Sequence, residues 1–126
     1  MKVFVSALTI LLIISCITFG VSDYTSKKAD FFFSRIEEMN TSEKKGNLSF
    51  LQNEYESLLE EWEHSYFLLS ISNPHSNLLQ IEESFASVIG SCKANDQNEL
   101  LIHSKKLSEL FKNLKNNSEF KASNIF

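Results

Sequence analysis

The chain predicts an all-α protein: an N-terminal transmembrane or signal-anchor helix followed by a small antiparallel up-down helical bundle. Three glycines and one proline among 126 residues leave few of the turns that a sheet requires. No segment alternates apolar and polar residues as a half-buried strand does, whereas beyond the first segment the apolar residues recur every three or four positions. The expected division is an anchor or signal segment at 1–22 and a bundle at 23–126. Within the bundle, helices are expected at about 23–40, 47–72, 74–92 and 96–116, before an apolar C-terminal tail.

The run from Val3 to Val21 contains no charged residue and ends at Asp23. As a helix it would measure about 28 Å, close to the thickness of a bilayer core. Three fates compete for it. It is an uncleaved signal anchor, a secretory signal cut at Asp23 after the small residues Gly20 and Ser22, or a lipoprotein signal processed at Cys16. Ser15 before Cys16 suits lipid attachment, but Ile17, Thr18 and Phe19 prolong the apolar run where a mature lipoprotein turns polar. The anchor is preferred, and all three fates place the remainder outside the cytoplasm. Expected partners are therefore the lipid bilayer and a membrane or envelope protein.

After Tyr24, the positions Phe31, Phe32, Ile36 and Met39 keep helical spacing, so the anchor is expected to run on as one rod to about Asn40. The segment from Asn40 to Asn47 reads as the first break. In the next helix Leu51, Tyr55, Leu58, Trp62, Tyr66 and Leu69 form one apolar stripe behind Asn47 as N-cap. Glu54, Glu56, Glu60, Glu61 and Glu63 lie off that stripe and read as a solvated face. Asn73 as cap and Pro74 as first residue open a third helix carrying Leu78, Ile81, Phe85, Val88 and Cys92. Asn95-Asp96 then opens a fourth, with Leu100, Leu107, Leu110, Phe111 and Leu114. Short connections imply antiparallel neighbours. The expected core is Leu51, Tyr55, Leu58, Trp62, Phe85, Leu107 and Phe111, with Phe126 docked from the chain end. Shifting by forty-nine residues also lays Asn47, Leu51, Leu58 and Trp62 on Asp96, Leu100, Leu107 and Phe111.

The net charge of −4 is unevenly spread: residues 1–45 hold six bases and five acids, residues 46–92 seven acids and no base, residues 93–126 six bases and four acids. Nucleic acid is disfavoured, because phosphate binding needs a concentrated basic face. An acidic helix beside the basic tail is the simplest use of the split. Cys92 is expected to pack as a small apolar residue, far in sequence from Cys16. Phe31-Phe32-Phe33 covers most of a helix circumference, so one ring must face away from any single core, and the same holds around Phe67 and Leu68. Phe31, Phe33 and Phe67 are thus the expected contacts for a partner.

Gly46-Asn47, Trp62-Glu63, His75, Ile81-Glu82, Ser84, Asp96 and the ending Asn124-Ile125-Phe126 resemble the bacterial domain-of-unknown-function family numbered 4363 over nearly the whole chain, anchor included. That resemblance implies a small, membrane-anchored helical protein without an assigned activity.

No catalytic or metal-binding residue is expected, and no cofactor. The three histidines form no His-x-x-x-His pair, no Cys-x-x-Cys is present, and no Gly-x-Ser-x-Gly elbow exists. An enzyme is therefore not expected. Two functions remain: an anchored accessory or scaffold module that binds another protein at the outer face of the cytoplasmic membrane, and an extracytoplasmic sensory bundle or lipoprotein holding a small ligand between helices. His103 is the one strong polar candidate for the interior.

Overall fold

The computed structural model describes residues 1–41 and 47–125, and the side chains of residues 72 and 120–125 fall outside that description. The expected docking of Phe126 therefore concerns a residue outside the described ones. The described residues form four helices: α1 (Lys2–Thr41), α2 (Leu48–Ser72), α3 (His75–Lys93) and α4 (Gln97–Ile125). Among the described residues there is no strand. α1 is one unbroken rod of 40 residues, apolar in its first half and packed in the bundle in its second.

Local chemistry sets the helix ends. Asn47 Oδ1 accepts from the Phe50 amide at 3.1 Å, satisfying a donor that the first turn of α2 leaves open. α3 starts one residue later than expected, with Pro74 at the cap position. Asn73 closes α2 instead, its side-chain amide donating to the Leu69 carbonyl at 2.8 Å. α3 ends in a Schellman arrangement: the Asp96 amide donates to the Ser91 carbonyl and the Asn95 amide to the Cys92 carbonyl, with Asn95 at φ 56. Asp96 then caps α4, its carboxylate accepting from the Glu99 amide at 3.1 Å. Asp96→Ala is expected to cost about 1 kcal/mol, measured by urea unfolding, because the first turn of α4 loses its side-chain acceptor.

α4 extends well past the expected end near Asn116 and takes the apolar tail into the helix. Leu114 and Ser118 stay buried one turn apart, and the sequence beyond them has neither glycine nor proline to stop it.

The helices close a ring in which α1 packs on α2 and α4, and α3 packs on α2 and α4. Cross-helix polar contacts fix the register. Lys28 meets Glu61 and Arg35 meets Glu54, each at 2.7 Å. Along the other side of α1, Ser26 donates to Glu119, Lys115 pairs with Asp30, and Ser108 donates to Glu37 at 2.6 Å. Every step toward the N-terminus of α1 is matched by an equal step toward the C-termini of α2 and α4. Both therefore run back toward the apolar half of α1.

The bases that meet the acids of α2 thus come from α1, not from the basic tail as the charge split suggested. α4 lies diagonally across the bundle from α2, so its Lys115 meets α1 instead. Lys28 holds the Glu61 carboxyl below its ordinary value, through a hydrogen bond and its charge. The folded value is the lower one, so this contribution is complete above the ordinary pKa of 4.5 and is lost as pH falls through the folded value. Glu61→Gln is expected to flatten the acid limb of the stability profile without changing stability near pH 7 by much, since both partners keep contact with solvent.

The core centres on four rings, one from each helix: Phe32, Trp62, Phe85 and Phe111. Phe32 and Phe111 stack at 4.8 Å, and Trp62 meets Phe111 edge-on at 5.7 Å. Leu51, Tyr55, Leu58 and Leu107 are buried around them. The forty-nine-residue echo extends through the packing of the whole bundle. Buried Ala29, Phe32, Ile36 and Met39 of α1 correspond to buried Leu78, Ile81, Phe85 and Val88 of α3. Tyr55, Ser65 and Leu69 of α2 correspond to Ser104, Leu114 and Ser118 of α4, all buried. Over these positions the two helical hairpins share a burial pattern, which stops where buried Ser22 and Thr25 correspond to exposed Ile71 and Pro74.

Candidate functional site

By length and composition α1 is able to cross a bilayer, and none of its most apolar stretch is buried against the rest of the chain. Cys16 is exposed on that stretch as a free thiol. The expected partner contacts lie near where this segment enters the bundle. Phe31 is 44% exposed, with the Lys28 ammonium 5.7 Å from its ring centre. Phe32 is buried, and Phe33 is half-buried against the core, which leaves it less surface to offer. Phe67, near the end of α2, is 74% exposed.

The buried polar side chains are mainly serines, of which Ser65, Ser91 and Ser118 donate to carbonyls one turn back in their own helices. The Tyr55 hydroxyl is buried without a well-formed hydrogen bond, and burial pushes its pKa far above the usual 10, the neighbouring Ser104 side chain offsetting part of that rise. Ser104 itself donates to the Leu101 carbonyl at 3.1 Å. Cys92 is buried beside this region, and desolvation raises its thiol pKa, as suits a packing residue. Among the described residues, Thr25 Oγ1 is the other buried side-chain oxygen without a partner.

His103 does not enter the interior: it lies at the surface of α4, 3.1 Å from Glu99 on the preceding turn. Against the expectation that the chain has no Glu-x-x-His pair, Glu61-Trp62-Glu63-His64 places a carboxylate and an imidazole at that spacing. The Glu61 carboxylate is taken by Lys28. Among the described residues no group of three His, Cys, Asp or Glu side chains is placed to hold a metal ion. A shallow cleft of about 150 Å³ lies between α3 and α4, where Asn77, Gln80, Asn113 and Asn117 surround Ile81, Leu110 and Leu114.

The model of a domain of unknown function, DUF4363, matches residues 19–125. The chain belongs to the DUF4363 family. No curated protein and no solved structure matches it. The DUF4363 match takes in all four helices of the bundle but only the last residues of the apolar run, so it does not cover residues 1–18, to which the resemblance was extended.

This DUF4363 bundle also exposes apolar residues beyond the expected contacts: Ile71 on α2, Leu79 on α3, and Leu101 with Ile102 on α4. A usable signal existed for the last pair. Leu100-Leu101-Ile102 is a three-residue apolar run on a helix, so the argument made for Phe31-Phe32-Phe33 applies to it unchanged.

Proposed function

We propose that this DUF4363 protein is a membrane-anchored accessory module, held by the apolar half of α1 with its bundle at the outer face of the cytoplasmic membrane, where it contacts another membrane or envelope protein. The carrying observation is that one continuous helix supplies both the unburied apolar segment and a wall of the bundle. With no flexible joint between them, the bundle works within a few helical turns of the bilayer. Phe31, and Leu101 with Ile102 at the far end of the bundle, are apolar surface available to a protein partner. Neither catalysis nor nucleic-acid binding is part of this reading.

Crosslinking the tagged full-length protein in cells, followed by mass spectrometry of co-purifying proteins and of its own N-terminus, tests it. A reproducible membrane partner together with an intact Met1 is the expected result. A mature N-terminus at lipid-modified Cys16 or at Asp23, with no partner, would overturn it.

A ligand-binding bundle is the second reading, favoured by the four amides around the α3–α4 cleft. It requires a small polar ligand whose addition raises the melting temperature of the wild type but not of Asn113→Leu.

A further inference from the structure

We infer that the α2–α3 end of the bundle is itself a lipid-contacting surface, seated in the headgroup region of the membrane that α1 crosses. This rests on the anchor reading and adds a second contact to it. The register supplies the depth. Lys28 opposite Glu61 and Arg35 opposite Glu54 place Phe67 level with Ser22 and Ile71 level with Thr18. Ile71 therefore stands about 7 Å further along the apolar direction than Asp23, at 1.5 Å per residue. That matches the roughly 5–10 Å to which apolar faces of interfacial helices are buried.

Chemistry at this level agrees. Between Glu63 and Glu82 the chain has no Asp, Glu, Lys or Arg, and this uncharged stretch is the end of α2, the turn and the start of α3. Phe67, Leu68, Ile71 and Leu79 expose apolar surface there, the first at 74% and the third at 55%. The charged residues of α2 begin at Glu63, and Tyr24, Lys27 and Lys28 of α1 lie at the boundary where aromatic and cationic side chains favour the interface. In contrast, the opposite end carries Lys93 at the close of α3, Asp96 in the turn and Glu99 in the first turn of α4. An apolar patch that lay in water beside a bilayer would waste contact that the rigid rod already brings within reach.

The test uses the full chain with Cys16→Ser, leaving the buried Cys92, reconstituted in phosphatidylcholine vesicles. An environment-sensitive fluorophore is attached at Phe67→Cys, and in separate samples at Leu101→Cys and Leu11→Cys. Quenching by nitroxide-bearing lipids is compared with quenching by aqueous iodide, and circular dichroism checks that each labelled chain keeps the helical content of its parent. The expected result is several-fold stronger lipid quenching and several-fold weaker iodide quenching at position 67 than at position 101, with position 11 quenched by lipid. Iodide quenching at position 67 equal to that at position 101, with position 11 still lipid-quenched, would overturn the inference while leaving the anchor standing. Shielding of position 67 from both quenchers would mean that protein covers the patch, and would overturn it as well. Absence of lipid quenching at position 11 would remove the anchor reading and the inference with it.

Discussion

Trp62→Ala is expected to lower the unfolding free energy by about 3–5 kcal/mol, the range for truncating a fully buried large aromatic side chain. The indole is completely buried and meets a ring from each of the other three helices: Phe32 at 6.1 Å, Phe85 at 6.5 Å and Phe111 at 5.7 Å. Removing it opens a void that no single neighbour is able to fill, because those neighbours belong to different helices held by their own contacts. The Trp62 Nε1 contact to Glu82, at 3.4 Å, is long and contributes little by comparison. For a domain with about 5–15 kcal/mol of total stability, the loss is a large share. Thermal unfolding in detergent is expected to show a melting temperature lower by roughly 12–40 °C, at about 4–8 °C per kcal/mol for a domain near this size. Phe67→Ala, at an exposed ring, serves as the comparison and is expected to stay within about 0.5 kcal/mol of wild type in the same detergent. Equal effects at the two positions would show that the aromatic centre does not hold the bundle.

Tyr55→Phe is expected to act in the opposite direction, raising stability by about 1 kcal/mol. The ring is fully buried and stays so in the variant, while the hydroxyl that leaves has no partner. A buried polar group without a hydrogen bond costs about 1–3 kcal/mol, so its removal with retention of shape is favourable. Alkaline pH gives an independent check. The folded pKa of this phenol is raised by desolvation, so the stability tied to its protonated form is complete below the ordinary value of 10 and declines as pH climbs above it. The wild type is expected to lose stability in that range more steeply than Tyr55→Phe. A variant less stable than wild type at neutral pH would show instead that the hydroxyl is satisfied in solution.

The same pair of residues shows how far the sequence reaches. Trp62 and Tyr55 fall on one helical stripe with Leu51 and Leu58, and periodicity alone marks all four as interior. It does not show that the hydroxyl of Tyr55 ends beside Ser104 of α4 without a well-formed bond to it, because that depends on which side chains α3 and α4 bring to the same level. The misplacement of His103 has a related cause. Its position between Leu100 and Leu107 suggested burial, but Leu101, Ile102 and His103 lie around the outer side of α4, and the inward face is taken by Leu100, Ser104 and Leu107.

Composition, periodicity and capping residues by themselves determine the all-α class, the apolar first segment, four helices and most of the side chains that fill the core. These follow from the sequence because helix formation, capping and amphipathic spacing act within a few residues of one another. The residues also carried the likeness to DUF4363. The tertiary structure alone decides which helices are neighbours, and so that the acids of α2 meet Lys28 and Arg35 of α1 while Lys115 turns to Asp30. It also brings the uncharged α2–α3 turn level with the apolar end of α1. Such placements depend on contacts between residues far apart in the chain, whose register is set jointly by ring packing and ion pairs across the bundle.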